Sequence, residues 1–264
     1  MIVHVKGIAV MGPGIEHWDA LRSHLLTGTP LAPDVQPRPQ GSILPGTERR
    51  RASTTVKMAV DVAQAALRQS GLKAEDAAVV FASANGDTNT IHQICEALAT
   101  PERMVSPTRF HNSVHNAAAG YWSIASGSMQ PSSSLAAWTG TFAAALVEAA
   151  AQCIGDDIPV ILAVFDTPFP EPLAACAPGH QPFALALVLD RQPENSLAAL
   201  RLAVAPDTGL PASAMADPEL EPLRCDSSAS RSLPLLAAIA AGSTGDDLIF
   251  DYVEGLQLRV GLAG

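Results

Sequence analysis

Three short runs constrain this chain most: "AAVVFAS" at 77–83, "PVILAVFD" at 159–166 and "PFALALVLD" at 182–190. Each is apolar at almost every position, without the polar alternation of a strand that has one wet face. Such runs read as strands buried on both faces, and these need helices above and below the sheet. Amphipathic segments stand between them. The strongest is 53–69, where Val56, Ala59, Val60, Ala63, Ala66 and Leu67 share one helical face and Gly71 supplies a stop. Strands alternating with helices predict an α/β chain with a largely parallel sheet, covered on both sides.

The rest of the pattern fits around these runs. A strand is expected at 2–10, a helix at 15–26 and an irregular, proline-rich loop at 30–45. Further helices are expected at 90–98, 112–126, about 141–153 and 233–241. A strand is expected at 132–138, another at 197–205, and two at 246–253 and 256–260 joined by a turn at Glu254-Gly255. A Pro/Asp-rich loop fills 206–228.

Hydrophobic residues make up 48% of the 264 positions and charged residues only 16%. Segments are therefore more buried than usual, either between helices or under a partner. A net charge of −10 argues against nucleic acid, whose phosphates would be repelled. Arg49, Arg50 and Arg51 form a short basic cluster, expected in a solvated loop. No apolar run reaches the ~18 residues of a membrane span. With no charged stretch before an apolar core at the start, the expectation is a cytoplasmic protein without a signal peptide. Cys95 and Cys153 fall on apolar helix faces and are expected buried and inert. Cys176 and His180 are too isolated for a metal site, so neither metal nor cofactor is expected.

Three stretches carry candidate chemistry. In "SSSLAAWTGTFAAALVEAA", from Ser132, a strand, a sharp turn and an Ala-rich helix would present Thr139 at a helix N-terminus, where a nucleophile or oxyanion is favoured. An isolated threonine is a poor nucleophile without a base. The alternative is that Thr139 and Thr141 cap the helix. In "HNSVHN", His111 and His115 would share a helix face, as a buried hydrogen-bonding pair or as a base for Thr139. In "NAAAG", Asn116 to Gly120, small residues would admit another backbone, with Tyr121 and Trp122 beyond. Internal packing explains that stretch equally well.

These pieces in this order resemble the β-ketoacyl synthases of the thiolase-like superfamily. The matching residues are "VSP" at 105–107, "NAAAG" at 116–120, Ser123-Ile124, Gly127 and Pro131, then the helix "TFAAALVEAAAQC". Counting from Pro131 puts the family's nucleophilic cysteine at Thr139. The family's two catalytic histidines belong to its second half, and residues 206–264 contain no histidine. The family's Gly-Phe-rich gating loop is replaced by "FDYVEG".

The resemblance implies a thiolase-like layered α/β fold, with helices on both faces of mixed sheets. It would be a single domain over 1–264, with a core half at 1–190 and a reduced half at 191–264. It is similar to chain-length factors, the ketosynthase-like subunits without a nucleophile, of the short type in aryl polyene and xanthomonadin-like clusters. It implies a heterodimer with an active β-ketoacyl synthase and, through the complex, an acyl carrier protein. Asn116, Ala117, Gly120, Tyr121, Trp122, Ser132, Ser134, Leu135 and Ala137 would form the interface. Arg109, Phe110 and Val114 would reach the partner's acyl tunnel. Two alternatives remain open: an acyltransferase or hydrolase using Thr139 with a histidine base, and a homodimeric acyl-binding module.

Overall fold

The computed structural model describes residues 1–32, 34–175, 179–243 and 245–263, so Cys176 lies outside the described residues. In chain order the elements are β1 (Ile2–Met11), α1 (Trp18–Thr27), α2 (Gly46–Arg51), α3 (Thr54–Ser70), β2 (Ala78–Ala82) and α4 (Thr88–Ala99). Then come α5 (Pro107–Asn112), α6 (Ala117–Ser126), β3 (Ser132–Leu135), α7 (Thr141–Gly155), β4 (Val160–Asp166) and β5 (Phe183–Asp190). The chain closes with β6 (Ala198–Pro206), α8 (Glu221–Asp226), α9 (Leu233–Ala241), β7 (Leu248–Asp251) and β8 (Leu256–Ala263).

The strands form one eight-stranded sheet in the order β3-β2-β4-β5-β1-β6-β8-β7. β2 runs parallel to β3 and to β4. Every other neighbouring pair is antiparallel. The sheet is mixed, as the family resemblance implies, and the largely parallel sheet expected from the apolar runs is not found. Burial on both faces demands helices on both faces but leaves strand direction open.

Side-chain alternation divides the core in two. Val80, Leu162, Val164, Leu185 and Leu187 pack with Trp18, Leu21, Phe142, Leu146 and Leu236 of α1, α7 and α9. Val79, Phe81, Ile161, Phe165 and Val188 pack with α3 and α6 on the opposite face. The helix α3 has local causes. Ser53 Oγ accepts from the Val56 N–H at 3.2 Å, and Gly71 ends the helix at φ +73°. Its buried stripe lies so close to β1 that a Cβ on Gly7 would run into the Ala66 carbonyl. That contact needs a glycine.

Several local expectations change. The helix foreseen over 112–126 is two helices, α5 and α6, with a break at 113–116, so His111 and His115 do not share a helix face. Arg49, Arg50 and Arg51 are solvent-exposed but helical, in α2. Cys95 is exposed, because α4 buries only Thr88 and Thr90, at its first turn. Cys153 is fully buried, and burial pushes its thiol up to about 11, as expected of an inert cysteine. Among the described residues no helix is long and apolar enough to cross a membrane. No cluster of three His, Cys, Asp or Glu side chains among them could hold a metal ion.

Candidate functional site

The strand β3 ends at Leu135, and the chain reverses into α7 within five residues. The apex of this turn is Trp138, at φ +51°, a left-handed conformation that a bulky side chain seldom adopts. Thr141 locks it. Its Oγ1 accepts from the Ala137 N–H at 3.0 Å and donates to the Trp138 carbonyl at 2.7 Å. Gly140 closes the turn against the residue that follows β7, where a Cβ would run into the Tyr252 carbonyl. Strand, strained residue and helix make an elbow of the type that presents nucleophiles. The strained residue is Trp138, one position before the Thr139 expected there. Nor does Thr139 cap the helix: Gly140 holds the N-cap position and no side chain caps α7.

Beside the apex lies a cleft of about 40 Å3, lined by Ala84, Asn85, Trp138, Thr139, Cys225, Asp226, Ser227, Ser228 and Arg231. That is space for a few waters and far too little for an acyl chain. Its walls meet at Asp166, which is buried at the end of β4. Oδ1 accepts from Ser83 Oγ and the Ala84 N–H, both at 3.0 Å. Oδ2 accepts from Ser228 Oγ at 2.6 Å and the Ala229 N–H at 3.0 Å. Burial pushes the carboxyl up and these four bonds oppose the push. Asp166 thus ties the end of β2 to the segment before α9.

No histidine lines this cleft or the smaller one on the far side of Thr139. His115 donates from Nε2 to the Ser83 carbonyl at 2.9 Å, and His111 stands edge-on to Tyr121. Neither is placed as a base for Thr139. Cys225 does line the cleft, but burial and its hydrogen bond to Glu221 push its thiol up, away from a reactive thiolate.

The expected interface residues divide. Tyr121 and Trp122 are buried in this chain's own core: Tyr121 donates to Asn112 Oδ1 at 2.9 Å, and Trp122 packs edge-on against Phe81. They are corrected to core residues, because the inner face of α6 packs on the sheet and takes its aromatics with it. Asn116 and Gly120 are exposed, and Ala117 is half-buried. Ser132 is exposed and Ser134 and Leu135 are half-buried on β3, an edge strand with nothing among the described residues paired on its outer side; Ala137, two residues beyond it, is half-buried. Arg109, Phe110 and Val114 are exposed.

Sequence reasoning missed the extent of this surface. The five most exposed large apolar side chains are Met129 (94%), Met104 (79%), Phe110 (68%), Trp138 (65%) and Ile124 (57%), all between 104 and 138. On α4, Ile91, Cys95 and Leu98 form a further outward stripe. A signal was present: residues 110–147 contain no Asp, Glu, Lys or Arg.

Comparison with known proteins now bears on this geometry. The family model for the β-ketoacyl synthase N-terminal domain matches residues 24–243. The chain belongs to the β-ketoacyl synthase family. No curated protein sequence matches it. Among solved structures, this β-ketoacyl synthase-like chain is similar to the ketosynthase ApeO in complex with its chain length factor ApeC from Xenorhabdus doucetiae, at 22% identity, TM-score 0.72 and 99% coverage of both chains. It is similar to the ishigamide ketosynthase/chain length factor, at 14% identity and TM-score 0.72, covering 99% of this chain and 98% of that one. It is similar also to AntDE:AntF, a type II polyketide synthase acyl-carrier protein in complex with its ketosynthase, at 13% identity, TM-score 0.73 and 99% coverage of both chains. At these identities the likeness is one of fold, and the fold is thiolase-like.

Proposed function

We propose that this chain is a ketosynthase-like subunit that does not itself condense. It is a chain-length factor that pairs with an active β-ketoacyl synthase during elongation of carrier-bound acyl chains, in aryl polyene-type biosynthesis. The observation that carries this reading is the elbow. Its shape is kept, its apex is an indole instead of a thiol, and its cleft holds no histidine and no room for an acyl chain. A decarboxylative condensation needs a thiolate to hold the acyl group and donors to stabilise the developing oxyanion. Likeness to ketosynthase and chain-length-factor structures of the same length supports the reading.

The partner would pair along the free edge of β3. The amides of Val79 and Ser83 reach the carbonyls of Pro131 and Leu135, so by the two-residue period the backbone groups of Ser132 and Ser134 point outward. Ser134→Pro therefore removes one outward donor while leaving the β2 ladder whole. Ser134 Oγ has no partner among the described residues, so no side-chain hydrogen bond is lost either. Co-expressed with the ketosynthase encoded nearest to it, the variant should bind roughly a hundredfold more weakly while melting within a few degrees of the parent. Undiminished binding would exclude pairing through β3.

Phe110, with Arg109 and Val114 beside it, would set the depth of the partner's tunnel. Phe110→Ala should lengthen the chain made by the complex, read by mass spectrometry of the carrier-bound products. An unchanged product distribution rejects the assignment.

A further inference from the structure

The elbow keeps a strained backbone with no nucleophile to justify it. Trp138 holds φ +51° with 65% of its surface exposed. Glycine or asparagine would hold the same turn with little strain. An indole there lowers the stability of the isolated chain twice, through the backbone and through apolar surface left in water. Thr141 and the Tyr252 contact at Gly140 enforce the geometry from below. A side chain held out at such cost has a use outside this chain.

We infer that Trp138 is the aromatic anchor by which a ketosynthase-fold partner seats itself on the free edge of β3. This rests on the chain-length-factor reading above and adds a residue to it. Trp138 stands three residues beyond the end of β3, within about 10 Å of it at ~3.3 Å per residue. A strand pairing on that edge would end close to the indole, at the mouth of the cleft that Trp138 lines. The stretch from Met104 to Trp138 holds the five most exposed large apolar side chains among the described residues, and residues 110–147 contain no Asp, Glu, Lys or Arg. An exposed tryptophan in an apolar stretch without charged residues has the composition of the centre of a protein interface, and Asp226 and Arg231 on the cleft wall would stand at its rim. The nucleophile position has thus passed from chemistry to recognition.

The protein carries its own probe. Of its three tryptophans, Trp18 and Trp122 are 7% and 1% exposed, so Trp138 supplies the red-shifted, acrylamide-quenchable emission. In the complex formed by co-expression with the neighbouring ketosynthase, with that subunit's own tryptophans replaced by phenylalanine, this component should shift to the blue and lose most of its quenching. Trp138→Gly should leave the isolated chain at least as thermostable as the parent while weakening association at least about tenfold. Trp138→Phe should restore part of the affinity. A complex that forms with Trp138 still fully quenchable, or a Trp138→Gly chain that binds within twofold of the parent, overturns the anchor and leaves the chain-length-factor reading standing. A chain that binds no ketosynthase overturns both. Emission already blue in the isolated protein, and reddening on dilution, assigns the anchor to a second copy of the chain and overturns the inference as stated.

Discussion

Asp166→Ala is expected to destabilise the protein by about 3–5 kcal/mol, among the largest effects any single substitution here should have. The carboxylate is 2% exposed and receives four hydrogen bonds, two on each oxygen. Two of the donors are hydroxyls, which can turn elsewhere; Ser83 Oγ already accepts from the Gly86 N–H at 2.9 Å. The other two are the backbone amides of Ala84 and Ala229, which cannot turn. Left unpaired, each costs about 1–3 kcal/mol, and the vacated volume adds to that. Asp166→Asn is the graded control. Its remaining oxygen can serve one pair of donors, but its amide group faces the Ala84 or the Ala229 N–H with a donor. It should cost about half as much. Urea unfolding of the three proteins checks the order parent, Asn, Ala. An alanine variant within about 1 kcal/mol of the parent would mean that Asp166 does not tie the cleft together.

How far the sequence discloses such features depends on whether their causes are local. The helix α3 has its cap at Ser53, its apolar stripe and its stop at Gly71 within one stretch, and α9 is found at the expected 233–241. The buried strands β2, β4 and β5 are equally plain, because nothing else accommodates such apolar runs. Strand direction is not local, and the antiparallel run of β5 against β4 leaves no trace in either run's composition. The apex of the elbow escapes for another reason. A left-handed residue is announced by glycine or asparagine, and here it is a tryptophan held by Thr141 and the Tyr252 carbonyl, more than a hundred residues away. Tyr121 and Trp122 show the reverse error. Their chemistry suits an interface, but the side of α6 that meets Phe81 is decided by packing. The four donors around Asp166 come from two segments, 83–84 and 228–229, far from it and from each other in the chain, and no motif joins them in the sequence.

Gly140→Ala is expected to destabilise the chain by about 3 kcal/mol, through one methyl group placed against backbone. Gly140 has φ −86° and ψ 8°, which alanine adopts freely, so conformational strain contributes nothing. The whole effect is contact. The new Cβ would meet the carbonyl oxygen, carbonyl carbon and Cα of Tyr252. No rotamer change relieves a clash with main chain, so either the Tyr252 segment or the start of α7 has to move. Both are anchored: Phe142 packs edge-on against Phe250 at 5.2 Å, joining the same two segments two residues away along each. The natural control is Gly120→Ala in α6. A Cβ there meets nothing within 4 Å, and the substitution removes a glycine from a helix interior. It should stabilise the isolated chain by about 0.5–1 kcal/mol. In the complex the added methyl would stand where a partner backbone is proposed to approach, and association should weaken. Thermal melts of the two isolated variants should therefore move in opposite directions. If Gly140→Ala melts with the parent, the Tyr252 segment yields easily and the elbow is not braced from below. A Gly120→Ala chain that binds the ketosynthase unchanged would show that α6 does not form that interface.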